Sequence, residues 1–398
     1  MSLVFWTSIA LIGYHLLVYP TLARVFASWK PVQASSRPKI LDADLPSVEL
    51  IVPAHNEAAV IEAKIKNITA LDYPAGKLIT RVCLDGCSDR TEVLARRAIE
   101  LLADRSIIDI VSESTCRGKV AVLNENIAQS DKDIIALSDT SALLDSAAMT
   151  LAARWFADPK VGVVCATYTP SEKASPGERL YWRKQNALKA AEGAIAAPMG
   201  AHGAFYLFRR SAWAPLPTES INDDFILPMR IVLGGFKMIY DHRVVAHELE
   251  ASEESHEFRR RVRIGAGNLQ QVIMLWRLAD PRRPNLAFVF CSGKGLRALT
   301  PLLAAVAMAA SVGLALSGDA LHQALVVTAA IGGLSVFALP RLFPRANAGP
   351  LAAVGYLIRG LTASFVGAIL LLLHRDGQLW RASSTAKNDS PKQRGAEA

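Results

Sequence analysis

Residues 48–68 read VELIVPAHNEAAVIEAKIKNI, and the two halves of this stretch obey different periods. Val48 to Val52 is a short β-rich run ended by Pro53, which predicts a strand. After the turn His55-Asn56-Glu57, the apolar residues Val60, Ile61, Ile65 and Ile68 recur at helical spacing. The scheme returns downstream. TRVCLDGCSDRTEVLARRAIELL (80–102) predicts a strand, an Asp-Gly turn and a helix capped near Ser88 or Asp89. IIDIVSES (107–114) and RGKVAVLNENIAQ (117–129) predict the next strand and helix, and DIIALSD (133–139) a fourth strand. Alternating strands and helices over short loops imply an α/β fold with a mainly parallel sheet and helices on both faces. In such sheets ligands bind at the carboxyl ends of the strands. Asp85, Asp139 and the His55-Asn56-Glu57 turn all fall there. Neither G-x-G-x-x-G nor G-x-x-x-x-G-K-[ST] occurs, so no dinucleotide fingerprint and no P-loop is supported.

The second half is patterned differently. VGVVCATYTP (161–170) predicts a strand, and GAHGAFYLFRRSAW (200–213) follows. Asn222-Asp223-Asp224 precedes a short helix with Pro228 expected in its first turn, where a missing N–H does little harm. Gly234-Gly235 ends that helix, and a strand carrying His247 comes next. HEFRRRVRIGAGNLQQVIMLWRL (256–278) is a strongly basic helical stretch.

The chain has 398 residues, of which 51% are hydrophobic, and a mean hydropathy of +0.24. That value is high for a purely soluble protein, and the apolar residues are unevenly placed. Residues 3–27 form one stretch long enough to span a bilayer, without a basic start or a small-residue cleavage site, so an anchor is expected. Three more apolar segments lie at about 298–317, 321–340 and 350–373. The net charge of +8 could suggest nucleic acid. The basic residues crowd beside the apolar segments instead (Arg24, Lys30, Arg282, Arg283, Lys294, Arg297, Arg341, Arg345), which suits anionic lipid and a cytoplasmic central domain. The five cysteines show no metal-ligand spacing.

Asp85, Asp139, Asp223 and Asp224 stand at ends of elements. Transfer of a sugar from a nucleotide donor needs such groups: one to hold the nucleoside, one or two to hold a divalent cation against the diphosphate, and one to take the acceptor proton. Carboxylates suit Mg²⁺ or Mn²⁺. Arg117 and Lys119 add positive charge for phosphates.

The ordered set VPAHNE, LDGCSDRT, RGKVAVLN, SDTS, NDDFILPMR and RRRVRIGAGN resembles the family-two inverting glycosyltransferases of GT-A fold, which include bacterial exopolysaccharide glycosyltransferases and cellulose, chitin, hyaluronan and poly-N-acetylglucosamine synthases. The match covers about residues 47–270, and CSGKGLRALTP is similar to the S-H-K-x-L-R-W-x-x-P stretch that precedes the C-terminal membrane helices of bacterial members. The resemblance implies that Pro53, Ala54, His55 and Glu57 border the nucleotide, that Asp85 contacts the uridine, and that Lys119 lies near the donor phosphates. It implies Asp139 as a metal ligand for Mg²⁺ or Mn²⁺, Asp224 as general base, Arg260 and Arg263 at the donor diphosphate, and His202 and Asp223 on the acceptor side.

Two positions depart from the family pattern. Ser141 stands where D-x-D has its second aspartate, and Ile264 replaces the tryptophan of Q/R-x-x-R-W, removing an aromatic platform. The expected protein is a multi-pass enzyme of the inner (plasma) membrane, with its catalytic domain in the cytoplasm. It would move a sugar from a UDP-sugar to a lipid-linked or glycan acceptor with a β-linkage, with other polysaccharide-assembly proteins as partners and no nucleic acid. A processive synthase, a direct lipid (ceramide-type) transferase and a catalytically silent nucleotide-sugar-binding membrane partner stay open as alternatives. The expected organisation is an anchor (1–29), a GT-A domain (45–280), an interfacial segment with C-terminal membrane helices (281–375) and a polar, disordered tail (376–398).

Overall fold

A computed structural model describes residues 1–29, 38, 40–250, 254–342 and 350–374. The basic residues Lys30 and Arg345 and the expected tail at 376–398 lie outside the described residues.

The N-terminal apolar stretch forms α1 (Ser2–Gly13) and α2 (Tyr19–Ser28), joined through a π-helical turn. The α/β region then runs β1 (Val48–Ala54), α3 (Ile61–Thr69), β2 (Leu78–Asp85), α4 (Thr91–Glu100), β3 (Ile108–Glu113), α5 (Lys119–Gln129), β4 (Ile134–Leu137), β5 (Ala142–Leu144), α6 (Ala148–Ala153), β6 (Val161–Thr169), α7 (Pro176–Ile195), β7 (Tyr206–Arg209), α8 (Asp223–Leu233) and β8 (Lys237–Glu248). The remaining helices are α9 (Glu254–Met274), α10 (Pro284–Val289), α11 (Leu296–Leu316), α12 (Ala320–Leu342) and α13 (Pro350–Leu372).

The chain divides into two compact units. The first gathers α1, α9 and the described residues from Phe290 onward. Within it α1 packs along α11, and α11 against α12 and α13. The helical stretches Ser2–Ser28 and Pro284–Leu316 are long and apolar enough to cross a membrane, and the apolar stretches Ala320–Leu334 and Ile358–Leu372 lie within α12 and α13.

The second unit holds the sheet, whose strand order is β3-β2-β1-β4-β7-β6-β8-β5. Pairings β1/β2, β2/β3, β1/β4 and β6/β8 are parallel; β7 runs antiparallel to β4 and β6, and β5 to β8. The sheet is therefore mainly parallel, as the alternating pattern implies, with an antiparallel insertion at β7. Val48, Leu50 and Val52 bury one face against Ile61, Ile65 and Ile68 of α3. Glu49, on the same buried strand, is matched by Arg81 Nε at 3.1 Å across the β1/β2 pairing.

α7 has no counterpart in the sequence expectations. Its start is nevertheless well marked: Ser175 Oγ accepts Glu178 N–H (3.1 Å) as an N-cap, and Pro176 occupies the first turn. Pro228 corrects an expectation. It falls inside α8, at the sixth position rather than in the first turn, and so leaves one helix carbonyl without its usual donor.

Candidate active site

Two groups of side chains gather where β1, β2 and β4 end. The first surrounds the nucleotide-side motifs. Asn56 takes a left-handed conformation (φ 54°), and its Oδ1 accepts Ser88 N–H at 2.8 Å. Glu57 N–H donates to Thr91 Oγ1 (2.7 Å), and His55 Nδ1 lies 2.6 Å from the Asp85 carbonyl, to which it donates. These bonds fasten the His55-Asn56-Glu57 turn to the loop that follows β2. Asp85 itself is buried, and its carboxylate accepts Arg117 N–H (2.7 Å) and Gly118 N–H (2.8 Å). Asp85 thus shapes the turn that leads into α5. Gly86 allows the close approach: at φ +59° a Cβ there would lie 2.3 Å from Cys116 N.

The second group centres on Asp139, two residues past β4. Its backbone is held from several sides: Asp139 N–H donates to Gly203 O (3.1 Å), and Thr140 Oγ1 to Pro53 O (2.9 Å). Beneath the turn lies Lys64 of α3, fully buried, whose ammonium donates to Ser138 Oγ (2.6 Å) and to the Ala142 carbonyl. One lysine therefore ties both ends of the Ser138–Ala142 turn. Burial pushes Lys64 down to about 7, against the opposing pull of the Asp139 and Glu248 carboxylates.

The Asp139 carboxylate meets Lys119, the first residue of α5, with Nζ to Oδ1 at 3.0 Å. The same ammonium lies 3.3 Å from Asp223 Oδ2 at the start of α8. Burial works against the Lys119 charge, but Asp139, Asp223 and Asp224 outweigh it and raise its pKa. Burial likewise works to raise Asp139, and Lys119 overcomes it, so this carboxyl stays below its ordinary range. Asp224, next in the chain, is only partly buried, whereas Asp223 is buried.

Pro228 now acquires a role. Its missing N–H leaves the Asp224 carbonyl without an intrahelical partner, and Ala201 N–H fills the gap at 2.9 Å. The GAHGA segment is thereby bonded to the backbone of Asp224. Within that segment His202 stacks on Tyr168 (ring centroids 4.0 Å, 24°) and meets the edge of Trp182 at 4.9 Å. Its Nδ1 accepts Ala204 N–H (3.1 Å), which puts the proton of the neutral ring on Nε2.

Of the expected residues, Asp139, Lys119 and Asp223 are joined by ion pairs, with Asp224 adjacent in sequence. Pro53 and Ala54 close β1 beside Thr140, and His55, Glu57 and Asp85 form the neighbouring group. Arg260 and Arg263 lie on α9, in the other compact unit. Ser141 does not stand in for an aspartate; it hydrogen-bonds Glu248, whose carboxyl burial raises. Lys64, Tyr206 and Gly203 are additions that motif reading does not supply. Lys64 had a signal, since it sits at helical spacing among Ile61, Ile65 and Ile68 on the buried face of α3.

A divalent cation can be tested against this geometry. Among the described residues no group of three His, Cys, Asp or Glu gathers to hold one. Asp139 nevertheless offers a partly exposed carboxylate, and Gly203 forms a cradle beside it: a Cβ there would lie 2.7 Å from Asp139 Oδ2. The hard oxygen donor of this partly exposed carboxylate fits Mg²⁺ or Mn²⁺, provided a bound ligand contributes the remaining oxygens.

The glycosyltransferase-like family 2 model matches residues 46–267. Over 226 residues the chain is 28% identical to an N-acetylglucosaminyltransferase of Rhizobium leguminosarum bv. viciae, covering 54% of this chain and 52% of the relative. Over 241 residues it is 25% identical to poly-beta-1,6-N-acetyl-D-glucosamine synthase of Staphylococcus aureus, covering 58% and 57%. The chain thus spans about half the length of the curated relatives it matches. Among solved structures, the mannosyltransferase of Pyrobaculum calidifontis in complex with GDP-Man and Mn²⁺ superposes with a TM-score of 0.70 at 26% identity, over 92% of this chain and 99% of that one.

Proposed function

Because the chain belongs to the glycosyltransferase-like family 2 and carries its GT-A fold, we propose that it is a membrane-bound inverting glycosyltransferase acting at the cytoplasmic face of the inner membrane. The donor is a UDP-sugar and the acceptor hydroxyl belongs to a lipid-linked or glycan molecule, in the synthesis of an exopolysaccharide or envelope glycan. The observation that carries the reading is the Lys119 ammonium set between Asp139 and Asp223, beside the more accessible Asp224.

Each residue has a chemical task. Asp224 takes the proton of the acceptor hydroxyl as that oxygen attacks the anomeric carbon in line. The bond from the anomeric carbon to the diphosphate oxygen breaks, and the nucleoside diphosphate leaves with the electron pair, so the linkage inverts to β. Lys119, kept protonated by its carboxylate neighbours, meets the charge that develops on the diphosphate. The Lys119 ammonium lies 3.3 Å from Asp223, so the carboxylate next to Asp224 has a cationic partner. Asp139 would hold Mg²⁺ or Mn²⁺ together with donor oxygens, and the bound ion supplies Lewis-acid neutralisation of the leaving group. The His55-Asn56-Glu57 turn and the Asp85-held loop border the nucleoside, and Arg260 and Arg263 add charge for the diphosphate. His202, with Tyr168 and Trp182, forms the acceptor side. Ile264, lacking an aromatic face, favours single transfers over a processive synthase. Apolar helices near both ends and the basic residues beside them support the membrane assignment.

A second reading of the donor, GDP-mannose, is favoured by the near-complete superposition on the mannosyltransferase solved with GDP-Man. One experiment tests both. Detergent-purified protein is screened with UDP- and GDP-sugars, a bacterial lipid extract, and Mg²⁺ or Mn²⁺, while nucleoside diphosphate release is followed. Asp224→Asn is expected to lower kcat by about 10²–10⁴-fold with little change in donor KM. Wild-type protein that turns over no nucleotide sugar, or an Asp224→Asn variant with wild-type kcat, sinks the reading.

A further inference from the structure

Tyr206 is a buried phenol that the catalytic scheme above leaves unused. It opens β7 and pairs with Leu137 of β4 and Cys165 of β6. Side chains alternate across a strand, and here Phe205 and Leu207 join the core on the α3 side. Tyr206 and Phe208 therefore face the opposite side, with rings 6.1 Å apart. Tyr206 is 1% exposed, and its hydroxyl has no hydrogen-bond partner among the described residues. Buried hydroxyls seldom go unmatched, because stripping a polar group of water without replacement is unfavourable.

The surroundings of this orphan donor are acidic. Burial raises the phenol well above its ordinary value, and Asp223, Asp224 and Asp139 raise it further, so it stays protonated and can act as a donor. Asp223 is also buried, and among the described residues its Oδ2 has no aligned hydrogen bond, only the Lys119 charge 3.3 Å away. An unmatched hydroxyl and a carboxylate oxygen whose described partner is the Lys119 ammonium are thus both buried, and Tyr206 pairs with Leu137, two residues before Asp139 of the same ion-paired group.

We propose that Tyr206 is a positioning residue for sugar transfer: its hydroxyl and Asp223 Oδ2 share one internal water, which fixes the first turn of α8 and with it Asp224. A water there accepts from the phenol and donates to the carboxylate, satisfying both with a single molecule. This role rests on the transferase reading for its activity arm and on the buried hydroxyl alone for its stability arm.

Tyr206→Phe removes one oxygen and keeps the ring. The full chain is purified in detergent, and kcat, donor KM and Tm are compared with wild type. The expected result is a fall in kcat of at least about tenfold, donor KM within about twofold, and a Tm no higher than wild type. In an Asp223→Asn background, adding Tyr206→Phe should lower kcat by less than about twofold, because the shared link is already altered. A phenol with no role gives the opposite pattern, since deleting an unsatisfied hydroxyl stabilises the fold: an unchanged kcat, or a raised Tm, overturns the proposal. If wild-type protein releases no nucleoside diphosphate, the transferase reading fails. The Tm arm still decides whether the phenol is satisfied.

Discussion

Replacing Lys119 by Met tests the centre of the site, because one ammonium serves two carboxylates there. Its contacts are 3.0 Å to Asp139 and 3.3 Å to Asp223. The magnitude depends on burial. The Lys119 side chain is 32% exposed and that of Asp139 39%, while Asp223 is only 9% exposed. Exposed ion pairs contribute about 0–1 kcal/mol, and stranding one partner of a buried pair costs about 3–5 kcal/mol. The Asp139 contact belongs near the first limit and the Asp223 contact nearer the second, so Lys119→Met should destabilise the sheet domain by about 2 kcal/mol. For a domain of this size that lowers Tm by roughly 4–8 °C. The loss arises mainly from Asp223 left charged in a buried place. Lys119→Met/Asp223→Asn should therefore melt higher than Lys119→Met alone, by about 1 kcal/mol. Thermal melting of the purified chains, followed by intrinsic fluorescence, reads both differences. A double variant no more stable than the single one would refute the ion-pair reasoning, whatever happened to activity.

Lys64 and Gly203 give independent tests. Lys64 has a folded pKa near 7 against an ordinary 10.5, so between those values the unfolded chain holds more protons and stability rises with pH. Wild type should gain roughly 2–3 kcal/mol relative to Lys64→Met between about pH 7 and 9, read from paired denaturation curves; parallel curves would show that Lys64 is not depressed. Gly203→Ala places a methyl 2.7 Å from Asp139 Oδ2. It should lower kcat about 10–100-fold and raise the metal concentration needed for activity, while Tm changes by less than about 2 °C; normal kinetics would mean that the carboxylate need not occupy its present position.

Much of the architecture was legible in local pattern. The strand–turn–helix repeats up to Asp139 follow from apolar spacing and turn residues, and the acidic positions Asp85, Asp139, Asp223 and Asp224 announce themselves by standing at ends of elements. Other parts depend on partners distant in sequence. β5 is three residues long and exists because β8 pairs with it. Tyr206 reads as one more aromatic in a strand until β4 and β6 pair on either side of it. Pro228 suggests a helix start by its residue type alone, yet it sits inside α8, because what it leaves unpaired is used by a loop more than twenty residues earlier. Asp85 illustrates the difference between place and role. Its location at the strand end was evident, but the two N–H groups of Arg117 and Gly118 that occupy its carboxylate belong to another turn.

The bond from Ala201 to the Asp224 carbonyl has a mechanical consequence. It is made from two main-chain groups, so side-chain replacement at either residue leaves it intact. Only the proline four residues further along keeps the helix from reclaiming that carbonyl. Loop and helix start behave as a hinge pin and its plate: a molecule that lifts the His202 segment also pulls on the turn bearing the proposed base. Occupancy on one side of the site can thus be felt at the proton acceptor without passing through any charged group, and a chain with alanine at 228 would lose that linkage while keeping every side chain around it.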